Sequence, residues 1–235
     1  MAFLETKYLY LFLLVFTISY PLAQSFEKRI QLYRNIKSIL FGILTVVVVF
    51  VPWDIWFTEK AVWWFNDTYV TGLNIFNLPI EEVMFFICIP YALIFIYEVL
   101  NFFIKKDVFG QLSKKISWIL GIGFLLISIN YYNQLYTSVT FVFCGVLLIF
   151  AAVKHPKWLG RFYLAYLVSL LPFILINGIL TGSLIESPVV NYNTNQIIGI
   201  RVFTIPIEDA VYNLLMFLLT ISVYENTKKV YQLKS

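Results

Sequence analysis

Two short segments of the sequence combine a proline with two adjacent acids, one in each half of the chain. They are Pro79-Ile80-Glu81-Glu82 and Pro206-Ile207-Glu208-Asp209. Proline and acids are typical of a helix N-terminus, where carboxylates interact favourably with the helix dipole. Helix capping explains one acid per helix better than two adjacent acids that occur twice. Because a protonated carboxyl donates a proton and an ionised one accepts it, the four acids predict general acid–base chemistry.

The similarity between the two segments extends beyond the acids. Gly72–Glu82 and Gly199–Asp209 have Gly, Phe, Pro, Ile and Glu at identical positions. The shift along the chain that aligns them, which we call the repeat offset, also carries Tyr97-Glu98 onto Tyr224-Glu225. Matches that stay in register over such a distance predict an internal repeat, with two similar units that each contribute one pair of acids.

The composition predicts that these units lie in a membrane. Of 235 residues, 60% are hydrophobic and 13% are charged, and the mean hydropathy is +0.82. A soluble domain usually carries about 25% charged residues. The net charge of +4 comes from basic residues dispersed in short loops, which argues against nucleic acid as a partner and for contact with membrane lipid.

Apolar runs of spanning length predict about seven transmembrane helices in an all-α polytopic protein. The predicted helices cover 3–23, 38–56, 78–104, 116–133, 137–153, 161–181 and 205–224. The repeat then gives a 3+1+3 arrangement of two parallel three-helix units joined by a linker helix. The corresponding domains are 1–104, 105–136 and 137–235.

The distribution of basic residues predicts the orientation of these helices. Most of the 17 Lys and Arg residues fall in alternate loops, while Lys7, Lys60 and Arg201 fall on the other side. Because cytoplasmic loops are enriched in Lys and Arg, we expect the N-terminus outside and the C-terminus in the cytoplasm.

Further polar residues are expected near the acids. Trp53 and Asp54 close the second predicted helix, and Asn177 lies near the end of the sixth. Interfacial polarity alone is an alternative explanation for all three. The related places of Asp54 and Asn177 in the two units favour a role in the site.

Taken together, these segments resemble the membrane-integral lycopene cyclases of the heterodimeric or fused type, which are distinct from the flavin-containing lycopene cyclases. The resemblance rests on the two acidic segments, on Pro52-Trp53-Asp54 before the first, and on Asn177-Gly178-Ile179-Leu180-Thr181 before the second. It covers nearly the whole chain, which is similar to the fused, two-repeat form.

The resemblance implies a redox-neutral cyclisation of the linear ends of lycopene to β-rings, as an intramolecular lyase or isomerase. An acid protonates C2, the C5=C6 double bond attacks the cation at C1, and a base removes a proton from C6. The implied acid–base set is Glu81, Glu82, Glu208 and Asp209. Within it, Glu81 and Glu208 are favoured because they are identical between the repeats. The implied substrate-binding residues are Trp53, Asp54, Asn177, Phe85, Phe86 and Tyr212, whose aromatic members could also serve only in packing.

The implied partners are lycopene and other carotenoids in a bacterial cytoplasmic membrane, and association with other enzymes of the carotenoid pathway is compatible with this. No flavin or metal is expected, because the chain lacks a GxGxxG segment and the chemistry is proton transfer.

Other functions remain open. A small-solute transporter also suits a 3+1+3 frame, although the middles of the third and seventh helices are almost wholly apolar. A related carotenoid hydratase or a cyclase of C50 carotenoids would use the same acids. Ring type and the number of ends cyclised are not determined by the sequence.

Overall fold

The computed structural model describes residues 4–232 and consists mainly of seven α-helices. They are α1 Leu9–Gln24, α2 Ile36–Glu59, α3 Ile80–Phe103, α4 Ser113–Asn130, α5 Leu135–Lys154, α6 Leu159–Leu180 and α7 Ile207–Gln232. Residue 3 of the first predicted helix lies outside the described residues. So do residues 1–3 and 233–235 of the predicted terminal domains.

Five of these helices are long and apolar enough to cross a membrane, namely α2, α3, α5, α6 and α7. Helix α1 is apolar but has only 16 residues, which corresponds to about 24 Å of rise. Long apolar helices are therefore the main building elements, as expected for an all-α membrane protein.

The helix count agrees with the sequence prediction, but helix boundaries differ by several residues. Helices α3 and α7 were predicted to begin at residues 78 and 205, and they begin at Ile80 and Ile207. The difference arises because the residues before each helix form a short hairpin. Proline fixes its own φ and lacks an N–H, which suits it to the position just before a helix.

The two hairpins have the same geometry and are related by the repeat offset. Strands β2 Asn74–Ile75 and β3 Leu78–Pro79 form the first, and β5 Arg201–Val202 and β6 Ile205–Pro206 form the second. Their tips have left-handed φ angles of 55° at Phe76 and 56° at Phe203, in similar tight turns. The amides of Ile80 and Ile207 donate to Leu73 and Ile200, so each hairpin closes onto its helix.

A further strand pair joins the two halves of the chain. Strand β1 Trp63–Phe65 runs antiparallel to β4 Val190–Tyr192, and Trp64 lies opposite Asn191. Trp63 faces Tyr192 and Phe65 faces Val190, so the register is reciprocal under the repeat offset. This ribbon covers the end of the molecule at which α3 and α7 begin, which we call the acid end.

Helix α1 packs on α3, and α5 packs on α7. Helices α3 and α7 contact each other and also contact α2 and α6, so they form the centre of the molecule. At the opposite end, Tyr97 donates to Glu225 at 2.7 Å, and Tyr224 donates to Glu98 at 2.8 Å. These reciprocal bonds link the two central helices away from the acid end.

Replacing Tyr97 by Phe should destabilise the protein by about 2 kcal/mol, the usual scale for a hydrogen bond to a charged group. Tyr224→Phe should cost less, because Glu98 still pairs with the Lys228 ammonium at 2.5 Å in that variant. In Tyr97→Phe, by contrast, Glu225 loses the tyrosine hydroxyl that donates to it. Thermal unfolding in detergent measures both variants, with Tyr132→Phe as the exposed control. Equal stability of all three proteins would contradict this account.

Candidate active site

A cavity of about 420 Å³ extends from the acid end along α1, α3 and α6, with α7 as its back wall. Glu82 and Ile96 both line it, and their separation along α3 corresponds to about 21 Å of helix rise. Most of the surface is apolar, and the polar groups concentrate at the acid end. An apolar cavity with a few polar groups at one end is typical of a site for a small apolar ligand.

The first polar group is a pair of carboxyls from α2 and α3. The Asp54 carboxyl lies within hydrogen-bond range of the Glu82 carboxyl. Tyr10 donates to Glu82 Oε2 at 2.6 Å, and Tyr212 donates to Asp54 Oδ1 at 2.7 Å. Because a hydrogen bond between two carboxyls needs a proton on one of them, this pair can hold a proton inside the apolar cavity.

The second polar group is a single carboxyl that accepts three hydrogen bonds. Asp209 Oδ1 accepts from Tyr136 at 2.7 Å, and Oδ2 accepts from Asn177 and Tyr192 at 2.8 Å each. Burial raises the pKa of the Tyr192 hydroxyl well above its usual value, and the Asp209 charge raises it further. The hydroxyl therefore stays protonated and donates. Three donors suit a carboxylate that is ionised at rest.

The two remaining acids point toward the backbone of the loops that precede their helices. Glu81 Oε1 accepts the Thr71 amide at 2.8 Å. Glu208 Oε1 accepts the Ile198 amide at 2.7 Å and the Thr137 hydroxyl at 2.7 Å. Both side chains are fully buried and neither lines the cavity, so their direct effect is to hold the loops that cover the acid end.

Aromatic rings form the wall between the two carboxyl groups. Trp63 lies 5.0 Å from Tyr136 and 6.2 Å from Tyr212, measured between ring centroids. Tyr136 also stacks on Tyr192 at 6.0 Å. Ring faces carry partial negative charge, so this wall favours a cation that forms between the acids.

The structure brings together six of the ten predicted site residues around the cavity. They are Asp54, Glu82, Phe85, Asn177, Asp209 and Tyr212. The other four, Trp53, Glu81, Phe86 and Glu208, do not line it. Trp53 packs behind Tyr212, with its ring stacked on Phe50, and Phe86 is fully buried next to Phe50.

Sequence reasoning missed Tyr10, Tyr136, Trp63 and Tyr192. Tyr10 and Tyr136 are each the second residue of their helix, and they donate to Glu82 and Asp209, so a closer comparison of the repeats could have found them. Trp63 and Tyr192 lie in strands β1 and β4. Nothing in the sequence separates them from aromatic residues of the membrane interface.

The chain also matches a known protein family. The sequence model of the lycopene cyclase family matches residues 7–100 and 133–227. These ranges contain all four paired acids and cover most of the chain. The protein therefore belongs to the lycopene cyclase family.

Curated relatives are more distant. The chain is 30% identical over 67 residues to a bifunctional lycopene cyclase/phytoene synthase of Leptosphaeria maculans, covering 28% of this chain and 12% of the relative. It is 25% identical over 103 residues to the protein of the same description from Gibberella fujikuroi, covering 41% and 18%. The aligned region is thus less than a fifth of either relative. No solved structure matches the chain significantly.

Replacing Glu81 by Ala should speed hydrogen exchange of the Thr71 amide about tenfold, the scale expected when one hydrogen bond is lost. Glu208→Ala should do the same at Ile198, because the Glu208 carboxyl accepts that amide. The Gln variants keep an acceptor oxygen and should stay close to wild type. Exchange measured by mass spectrometry, with the exposed Glu59→Ala as control, checks this. Unchanged exchange in both Ala variants would refute the holding role.

Proposed function

We propose that this protein is a lycopene cyclase that converts linear ends of lycopene to β-rings without a redox change. The observation that carries the proposal is the pair of distinct carboxyl groups at one end of an apolar cavity, in a chain of the lycopene cyclase family. One of these groups is built to hold a proton and the other to remain ionised. A cyclisation that begins and ends with proton transfer needs both.

In this proposal the Glu82–Asp54 pair is the acid and Asp209 is the base. Glu82 delivers the proton it shares with Asp54 to C2 of the substrate, which leaves a cation at C1. The C5=C6 electrons then form the C1–C6 bond, and Asp209 takes the proton from C6 as the double bond reforms. Substrate and product are isomers, so the cycle closes when Asp209 loses its proton to solvent and the acid pair regains one from solvent.

Glu81 and Glu208 belong to the acid–base set that the sequence predicts, and here we assign them a positioning role. Their carboxyls accept backbone amides of Thr71 and Ile198, and these bonds fix the loops above the cavity. The loops and the ribbon of β1 and β4 exclude water. A dry site matters because water would quench the carbocation to an alcohol.

The aromatic wall supports the cation between the two proton transfers. Trp63, Tyr136 and Tyr212 line the cavity between the carboxyl groups. Their faces attract the positive charge while it moves from C1 to C5. Asn177 holds Asp209 in place through its side-chain amide at 2.8 Å.

We infer further that the chain is a 3+1+3 arrangement of two parallel repeats in residues 1–104 and 137–235, joined by the helix within 105–136. The equal geometry of the two hairpins and the reciprocal ribbon support this. The distribution of Lys and Arg supports an N-terminus outside and a cytoplasmic C-terminus in a bacterial membrane. Lycopene and other carotenoids are the proposed partners.

Expression in a bacterium that accumulates lycopene tests the activity. We expect cyclised carotenoid of unchanged mass. Purified protein in lipid nanodiscs, given unlabelled lycopene in D₂O, should add one deuterium for each ring, because the proton added at C2 comes from an acid that exchanges with solvent between cycles. Liquid chromatography with mass detection measures both. A product heavier by one water per end would instead identify a hydratase. Unchanged lycopene beside well-expressed protein would refute the proposal.

Glu82→Gln and Asp209→Asn should each lower cyclisation about a hundredfold or more, the usual loss when a general acid or base is removed. Glu81→Gln and Glu208→Gln should retain most activity, because the amide oxygen still accepts the loop N–H. Pigment yield per amount of membrane protein gives the comparison. If instead Glu81→Gln and Glu208→Gln lost activity while Glu82→Gln and Asp209→Asn kept it, the proton chemistry would belong to Glu81 and Glu208.

A further inference from the structure

The cavity opens on the side of the molecule, between α1 and α6. Of the residues that line it, Phe16 and Tyr20 of α1 are 57% and 66% exposed, and Leu175 of α6 is 54% exposed. These residues lie in apolar helices, so the surface they share faces lipid rather than water. An opening at this place connects the carboxyl groups with the bilayer interior.

The same place in the other half of the molecule lies between α5 and α2, and aromatic rings fill it. Trp53 of α2 is stacked on Phe50 with 5.6 Å between centroids, and its ring lies 5.3 Å from Phe143 of α5. Trp53 also contacts Tyr212 at 5.6 Å, so it lies against the back of the cavity wall. Phe50 is fully buried there.

Comparison by position shows which residues make the difference. In α1 and α5 we align Tyr10 with Tyr136, which play the same donor role and lie one residue short of the repeat offset. On this alignment Phe143 of α5 corresponds to Thr17 of α1, which lines the open cavity. The repeat offset relates Phe50 and Trp53 of α2 to Asn177 and Leu180 of α6. Three aromatic residues on the filled side therefore correspond to Thr17, Asn177 and Leu180 on the open side.

The aromatic rings between α2 and α5 also explain why the two carboxyl groups are accessible from the opposite side, between α1 and α6. Asn177 occupies the place that corresponds to Phe50, and its amide donates to Asp209. Phe50 has no polar group, and it packs on Phe86 at 5.8 Å and on Tyr212 at 5.0 Å. Both acids are thus approached from the α1–α6 side, although each repeat supplies one of them.

We propose that a long linear polyene enters from the bilayer between α1 and α6, and that each chain holds one substrate end at a time. This inference rests on the proposed cyclase function. The substrate end reaches Glu82 and Asp209, and the remainder lies along α3 and projects into lipid through the opening. A substrate with two reactive ends must leave and return reversed before its second end reacts.

Thr17→Phe copies the residue of α5 into α1 and should close the opening. We expect cyclisation to fall about tenfold or more, because the polyene must displace the added ring to reach the acids, and a loss of about 1.4 kcal/mol in transition-state stabilisation is tenfold in rate. Leu175→Trp should have a similar effect from α6, where the exposed position tolerates a larger ring. Pigment analysis in lycopene-accumulating cells measures the activity, and carotenoid bound to the purified protein in lipid nanodiscs gives a second readout.

The controls enlarge a side chain at positions outside the proposed opening. Val15→Phe enlarges a lipid-facing residue of α1 that does not line the cavity, and Phe143→Trp adds bulk on the filled side. Both should cyclise and bind carotenoid like the wild type. If the wild-type protein is active and folded Thr17→Phe and Leu175→Trp variants match its activity, the proposed entry between α1 and α6 is wrong. Loss of activity in Phe143→Trp alone would place the opening on the other side.

A time course with lycopene in excess over wild-type protein in nanodiscs tests the inference that each chain holds one substrate end at a time. Release after each ring predicts that a monocyclic product appears before any dicyclic one. A dicyclic product from the first time point, without a monocyclic one, would overturn the one-end inference. Absence of every ring would instead refute the cyclase function, so the two failures are distinguishable.

Discussion

Buried carboxyl groups must be matched by hydrogen-bond donors or must share a proton, because isolated charge in an apolar interior costs several kcal/mol. Three arrangements at the acid end address this requirement, and they leave Glu81 Oε2 and Glu208 Oε2 buried without a hydrogen-bond partner among the described residues. Asp209 receives three side-chain donors, Glu82 and Asp54 lie against each other, and Glu81 receives a backbone amide. The chemistry that we propose follows from these differences, since four similar acids become a proton store, a proton acceptor and two supports.

Packing between the helices brings the buried carboxyls and their hydrogen-bond donors together. Glu82 and Asp209 lie in the first turns of α3 and α7, after hairpins that fix where each helix begins. Their donors come from other elements, such as α1, α5 and strand β4. Each carboxyl therefore depends on packing between helices far apart in sequence, and loss of that packing would leave a buried acid without its donors.

The two halves that we propose as repeats differ on the two sides of the cavity. The acids, hairpins and ribbon follow the repeat closely, whereas the flanks of the cavity differ. Phe50, Trp53 and Phe143 fill one flank, while Asn177, Leu180 and Thr17 leave the other open. Under the repeat that we propose, a few ring-sized differences separate an open cavity from a packed flank.

Sequence alone determined the apolar helices and the paired acids, because spanning length and the internal repeat are patterns of residue type and spacing along the chain. It also singled out Asp54 and Asn177, which lie near the ends of the second and sixth predicted helices. Sequence alone could not determine the direction of each side chain. Glu81 and Glu82 are adjacent, yet one faces a loop and the other the cavity, because successive helical residues point about 100° apart. Only the tertiary structure decided which acid faces the cavity, which tyrosines serve it and which side is open, since these depend on packing between distant segments.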